Sequence, residues 1–340
     1  MNRAAAALLA ACLAAPLAAA PARAGETPGW ARPAVEALEQ RGLLEKGSFR
    51  PNRALGRTRF AELIEAAFGG GHAAPGEGKV TAGEVHSALV SALGYAELAD
   101  RLNGLASPDG WAPELPAHFG TEVVARALGL RFNRPASDDR REATAGEPLL
   151  QADIAYAVWR ALEGPNGYAA QRLAELALPD YDEARRHIIA FALQQAGQPY
   201  VWAGEWAAPT PEGYPYGAQA QGGFDCSGFI WYVLKERSEA YDPPGRPYDG
   251  YELDERSARD MAAATPRRIR FGRLRPADLV FFAPDGRDSD PGTVYHAGLY
   301  LGNGWMVHSS DGGAGVNLSY IGDGFWRGQF AWGRRVVPAA

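Results

Sequence analysis

The chain has 340 residues, enough for two domains at roughly 150 residues each. A hydrophobic share of 46% and a charged share of 22% are those of a globular protein and exclude a wholly disordered or collagen-like chain. Lys and Arg number 34 against 40 Asp and Glu, and the net charge of −6 argues against nucleic acid as a partner, because phosphate neutralisation needs a basic surface.

Met1-Asn2-Arg3 is a short positive start, and Ala4 to Ala20 is almost purely Ala, Leu and Pro with Cys12 inside it. Ala22-Arg23-Ala24 supplies the small-x-small pattern read by signal peptidase, so residues 1–24 read as a signal peptide cleaved after Ala24. Leu9-Ala10-Ala11-Cys12 looks like a lipobox; the apolar run before it is very short, which puts a lipoprotein at Cys12 second. No later stretch reaches the roughly 18 apolar residues of a membrane span. The expectation is a secreted or cell-envelope protein with no stable span.

Residues 25–163 carry helical periodicity. Val35, Leu38 and Leu43 recur on one face, as do Phe60, Leu63, Ile64 and Phe68, with Gly47 and Pro51 in the loop between. A related pattern returns from His118 to Leu162, and Lys79 to Leu93 repeats its second helix alone. Imperfect helix-loop-helix copies predict an all-α domain whose units bury their faces on each other. The pattern resembles S-layer homology repeats, and the resemblance implies contact with cell-wall polysaccharide through this domain. The signature stretches are Gly56-Arg57-Thr58-Arg59, Thr81-Ala82-Gly83-Glu84 and Leu150-Gln151-Ala152-Asp153, of which only the first keeps the motif's arginine, at Arg57. A helical spacer packed on the next domain is the competing reading. Pro165-Asn166-Gly167 marks a break, and residues 164–181 read as a linker ahead of a second domain at 182–340.

From Asp182 to Gly197 the sequence predicts a helix, with Ile188, Ile189, Ala192 and Leu193 on one face. A loop rich in Gly, Pro and Tyr is expected from about Pro209 to Gly223. A second helix is predicted to open at Cys226, with Asp225 at its N-cap. Once residues 1–24 are removed, Cys226 is the lone thiol. Such a thiol is inert in the core, paired to another chain, or a nucleophile. A helix start favours the last, since its partial positive charge and free N–H groups favour a thiolate and receive an oxyanion.

A nucleophilic thiol needs a base, and the base an orienting partner. Of the six histidines, His72, His86 and His118 fall in the first domain, and His187 lies among Arg185 and Arg186 as a solvated residue. His296 opens an apolar run, Gly302-Asn303-Gly304 turns the chain, and Trp305 to Ser309 returns as the second arm of a hairpin. A two-residue loop there would put His296 and His308 on opposite faces. A three-residue or similarly bulged loop, for which Gly304 supplies the left-handed residue, is therefore expected; it pairs His308 with Gly298 and puts the two histidines on one face, within reach of each other.

The segments PYVWAG (Pro199 to Gly204), FDCSGF (Phe224 to Phe229), RPADLVFF (Arg275 to Phe282), HAGLYLGNG (His296 to Gly304) and MVHSS (Met306 to Ser310) together resemble the NlpC/P60 family of cell-wall cysteine peptidases. The resemblance runs from about Asp182 to the C-terminus. It implies an α+β protein, with a papain-like catalytic domain preceded by the all-α helix-loop-helix repeat domain. It further implies cleavage of peptidoglycan stem peptides at the bond between γ-D-glutamate and a diamino acid. Cys226 matches the nucleophile, His296 the general base and His308 the residue that orients it. Tyr200 matches a tyrosine near the oxyanion side, and Asp225 and Ser227 flank the nucleophile, where some members contact a substrate amine. Local roles in capping the helix suit Asp225 and Ser227 equally. Two departures stand out: Ala203 and Ala277 replace usual glycines. The acidic loop Pro284 to Val294 lacks the Gly and distal Glu of a calcium loop, so no metal is expected and no organic cofactor is implied. Phe325 and Trp326 read as wall or core aromatics. The competing functions are a papain-like amidase or acyltransferase on the cell wall, and an inactive wall-binding protein.

Overall fold

A computed structural model describes residues 26–134, 142–209, 219, 221–235, 251, 253–313 and 315–338. The expected signal peptide with Cys12, and most of the loop expected between Pro209 and Gly223, lie outside the described residues. The chain is a mixture of helix and antiparallel sheet.

Its first part holds α1 (Arg32–Gln40), α2 (Arg57–Phe68), α3 (Ala82–Ala92), α4 (Ala96–Asn103), α5 (Phe119–Ala127), α6 (Gln151–Glu163) and α7 (Gly167–Leu173). In α1 a proline in the first turn sets the backbone, and Ala34, Val35 and Leu38 face inward at helical spacing. A capping box starts α3: Glu84 N–H donates to Thr81 Oγ1 at 3.3 Å and Thr81 N–H donates to Glu84 Oε2 at 2.8 Å.

The three signature stretches are the starts of α2, α3 and α6. Short extended segments precede all three, and isolated antiparallel bridges link them pairwise: Ala54 with Leu150, Gly56 with Lys79, and Thr81 with Pro148. Each segment therefore touches both others, and the three helix starts close a triangle. Arg57 holds Glu84 of the next start through Nε at 2.8 Å and Nη2 at 3.2 Å.

Residues 164–181 do not form a plain linker. They carry α7, and Ala170, Leu173, Leu176, Leu178 and Tyr181 are buried. Tyr181 donates its hydroxyl to Leu301 O at 2.7 Å, and Asn303 Nδ2 donates to Ala177 O at 3.0 Å. The Pro165-Asn166-Gly167 break is real, but it leads directly into a helix whose apolar residues need cover.

The second part begins with α8 (Glu183–Gln194), capped by Asp182, whose Oδ1 accepts from Arg185 N–H at 2.9 Å. There follow β1 (Glu205–Trp206), β2 (Gly223–Phe224), α9 (Cys226–Lys235), α10 (Ala258–Ala263), β3 (Leu279–Phe282), β4 (His296–Gly302), β5 (Trp305–Ser310), β6 (Gly315–Tyr320), α11 (Gly324–Gln329) and β7 (Phe330–Arg334). The short strands β1 and β2 pair with each other, and the rest form an antiparallel sheet in the order β6-β5-β4-β3-β7. The acidic loop folds as two 3-10 turns, the second capped by Asp290, whose Oδ1 accepts from Gly292 N–H at 2.8 Å.

Alternation along the strands divides the sheet's two faces. Leu279, Phe281, Ala297, Leu299 and Val307 join the main core with the apolar sides of α8 and α9. Val280, Phe282, Tyr300, Met306 and Phe330 form a smaller core with Ile321, covered by Phe271, Leu274 and Trp326. The main core runs unbroken from Val35 to Val337, so the two parts share it. A buried polar contact also joins them. Arg126 on α5 donates to Gly197 O, and Gly197 N–H donates to Val316 O on β6. Beside Arg126, His86 Nδ1 lies 2.6 Å from Glu122 Oε1. Burial pushes the Glu122 carboxyl up, but His86, Arg126 and Arg131 outweigh it and hold the group at about 2.

Candidate active site

Helix α9 opens on Cys226 because Asp225 caps it. Asp225 Oδ1 accepts from Gly228 N–H at 2.6 Å and from Ser227 Oγ at 3.1 Å. Gly228 cannot be replaced cheaply: a Cβ there would lie 2.0 Å from Gly204 O, the carbonyl that accepts from Asp225 N–H at 3.0 Å. The loop before β1 is thus pressed onto the first turn of α9. Tyr200 forms a parallel bridge with Phe224, which holds it beside the strand that leads into Cys226.

Arg256 locks this corner, a role that no motif in the sequence announces. It pairs with Glu205 through Nε, donates Nη1 to Asp225 Oδ1 at 3.2 Å and to Ser227 Oγ at 3.0 Å, and donates Nη2 to the carbonyls of Ala203 and Gly204, both at 3.2 Å. Both residues flanking the thiol are therefore engaged by the cap and by Arg256.

The hairpin answers the register question. Asn303 and Gly304, with φ of 51° and 82°, make a two-residue turn closed by Gly302 and Trp305. A bulge between Tyr300 and Gly302 shifts the ladder by one, so that Tyr300 opposes Met306 and Leu299 opposes Val307. Continued one step, this register sets Gly298 against His308; a Cβ on Gly298 would lie 3.3 Å from His308 Cβ. His296 and His308 consequently share a face, and His296 Nε2 lies 2.7 Å from His308 Nδ1. The ring of Trp326 lies 5.0 Å from that of His296 and 5.2 Å from that of His308, and Phe282 lies against His296 on the next strand. Trp326 is thus a wall of the site.

On the far side, His308 Nε2 lies 2.8 Å from Ser319 Oγ on β6. Ser319 sits diagonally across from His308, since β5 and β6 pair Met306 with Ser319 and His308 with Asn317. The sequence reading missed it. Strand alternation after Gly315 is the signal that could have found it.

Burial is the main electrostatic influence here. It pushes His296 down to about 3, and it pushes His308 well below its ordinary value with help from His296. Both imidazoles are therefore neutral near pH 7. The pair then admits a single consistent set of tautomers if His296 Nδ1 is to accept a proton: His296 Nε2–H donates to His308 Nδ1, and His308 Nε2–H donates to Ser319 Oγ. Cys226 departs from expectation. Burial, reinforced by the Asp225 carboxylate, pushes the thiol up to about 12, against the opposing pull of the Ala297 and Ser227 N–H groups and of Arg256. The helix start does not win at this position, and the resting sulfur is a thiol.

Cys226 is half-buried and lies against the backbone of Ala297, the residue after His296. Among the described residues no hydrogen bond joins its sulfur to an imidazole. In resting enzymes such contacts are often long and tighten when substrate binds. The fold thus brings together a thiol at a helix start, a neutral imidazole pair and a serine at the end of the relay, an arrangement suited to nucleophilic attack with general-base assistance.

Residues 197–335, which hold the sheet, α9 and the paired imidazoles, match the NlpC/P60 family model. The chain is 30% identical over 148 residues to the murein DD-endopeptidase MepH of Escherichia coli, a stretch covering 43% of each protein. It is 33% identical over 137 residues to the bifunctional muramidase/DL-endopeptidase CwlT of Bacillus subtilis, covering 40% of this chain and 32% of that one. The crystal structure of an NlpC/P60 family protein from Bacillus cereus overlaps 46% of this chain and 42% of its own, at 25% identity and a TM-score of 0.34. The chain spans less than half the length of the curated relatives named here.

Proposed function

We propose that the protein is an exported peptidoglycan hydrolase that cuts stem peptides at the bond between γ-D-glutamate and a diamino acid. The observation that carries this reading is the neutral His296–His308 pair, 2.7 Å apart and next in sequence to the backbone on which Cys226 rests. Relatives named as murein DD-endopeptidase and as DL-endopeptidase support a peptide bond of the wall as the target. Export rests on residues 1–24 as a leader.

In this mechanism His296 Nδ1 takes the Cys226 proton as the sulfur attacks the scissile carbonyl. The N–H groups at the start of α9 receive the oxyanion. The new imidazolium keeps its Nε2–H on His308, and its Nδ1–H then passes to the leaving amine, giving an acyl-thioester that water releases by the same base. Tyr200 borders the oxyanion side. Asp225 and Ser227 act through the cap and Arg256. The helical part buttresses this domain through the shared core and the Arg126–Gly197 contact, and the spending of Arg57 on Glu84 supports that role over glycan binding.

Digestion of purified stem peptides, read by mass spectrometry, tests the proposal. Wild type is expected to release fragments ending in D-glutamate, Cys226→Ala none, His296→Ala next to none, and His308→Ala a small remainder. Cleavage by Cys226→Ala at the wild-type rate would overturn the mechanism, and products cut elsewhere would overturn the bond assignment.

A further inference from the structure

A chain with a net charge of −6 concentrates positive charge in one groove. Five of the nine residues from Arg267 to Arg275 are arginine. The apolar residues between them turn inward: Phe271 and Leu274 pack on the smaller core, and Ile269 is tied to edge strand β7 by reciprocal bonds with Gly333 of 2.9 and 2.8 Å. The arginines are left outside, all five exposed, along a groove of about 1020 Å³ that Arg334 and Arg335 also line.

The two wall arginines are committed, Arg334 to Glu255 at 2.7 Å and Arg335 to both oxygens of Asp278 at 2.7 Å. Arg268 lies over the ring of Trp332. Arg267, Arg270, Arg273 and Arg275 have no carboxylate partner among the described residues. Four unpaired like charges held on a pinned segment repel one another, and a concave surface focuses their field on whatever enters. Arginine forks match carboxylates in two-point contacts.

We propose that this groove anchors a peptidoglycan strand by the free carboxylates of stem peptides beyond the one being cut. This rests on the proposed function, because a γ-linked glutamate leaves its α-carboxylate free. Position supports it. Arg334 opposes Leu279 on β3 while the partner of His296 is Phe282, three residues along the same strand, or roughly 10 Å at the strand rise. A polymer carrying several stem peptides can occupy both places at once, so the anchored carboxylates need not belong to the peptide being cut. A lipid surface fits poorly, since a peripheral site inserts apolar side chains, and the large apolar residues exposed among the described residues, Tyr168, Trp202 and Phe325, do not line the groove.

The test is co-sedimentation of the full-length Cys226→Ala protein with peptidoglycan stripped of phosphate-bearing polymers by acid. Combined Arg267→Glu, Arg270→Glu, Arg273→Glu and Arg275→Glu substitutions are expected to weaken binding about tenfold or more, and the matching Gln set to weaken it less. Added salt should erase the difference. With Cys226 restored, the Glu set should solubilise intact wall at least about tenfold more slowly while cutting a soluble stem peptide at the wild-type rate. Unchanged sedimentation, loss of soluble-peptide cleavage, or binding confined to unstripped wall would each overturn the anchoring site. If wild type cuts no stem peptide yet binds stripped wall through these arginines, the proposed function fails and the anchoring site stands.

Discussion

Ser319 Oγ lies 2.8 Å from His308 Nε2, on the side of that imidazole away from His296. With His296 Nδ1 free to take a proton, His308 carries its hydrogen on Nε2 and the serine oxygen accepts it, so the hydroxyl supports the tautomer pair that the mechanism needs. Ser319→Ala should therefore slow turnover about fivefold, the rate equivalent of about 1 kcal/mol for a neutral hydrogen bond. Ser319→Thr, which keeps the hydroxyl, should retain most activity. Steady-state kinetics on a soluble stem peptide measure both, with the loss expected in kcat rather than KM.

Cys226 is held as a thiol, with its pKa pushed up to about 12. Its alkylation by iodoacetamide should be slower at about pH 7 than that of free cysteine, and should climb about tenfold per pH unit towards pH 10 without levelling. His296→Ala should leave this profile nearly unchanged while removing activity. A plateau already reached below about pH 8 would instead reveal a preformed thiolate–imidazolium pair.

Burial of His296 also makes the fold acid-sensitive. Its pKa is about 3 in the folded chain against an ordinary 6.5, so between those values the unfolded chain binds the extra proton. Stability from this residue is complete above 6.5 and falls as pH drops towards 3. At about pH 5 the deficit is about 2 kcal/mol. Urea unfolding of wild type and His296→Gln at about pH 7 and about pH 5 should show a loss larger by about that amount in wild type.

The two alanines that replace usual glycines both sit in left-handed backbone, Ala203 at φ 60° and Ala277 at φ 66°. Glycine relieves that strain at either position, at some cost in unfolded-chain entropy. Ala203 is exposed, so Ala203→Gly should stabilise by about 0.5 kcal/mol. Ala277 is buried, and losing its methyl from the core offsets the relief, so Ala277→Gly should be close to neutral. Thermal melts of the two variants should separate them.

The local signals in the sequence were strong where one element decided the outcome. Asp225 read as a cap and is one, and the spacing of His296 and His308 around a bulged turn predicted their shared face. What eluded the sequence comes from elements distant in the chain. Ser319 reaches His308 across a strand pair, and Arg256 reaches Asp225 from 31 residues away; Trp326 reads as a wall or core aromatic, and only the fold shows that the imidazoles are what it covers. The protonation of Cys226 went unread for a related reason: a helix start is visible locally, whereas the burial that outweighs it is assembled from the whole domain. Residues 164–181 misled because a break signal says where a helix cannot run, and not whether the next stretch is free.

The triangle of bridges among the starts of α2, α3 and α6 carries a consequence for descent. An open stack of helical units grows or shrinks by one without penalty to its interior, but here every unit already has both neighbours. Gain or loss of a single copy would open the ring, so this region is expected to be inherited whole, with its tally frozen while its individual side chains drift.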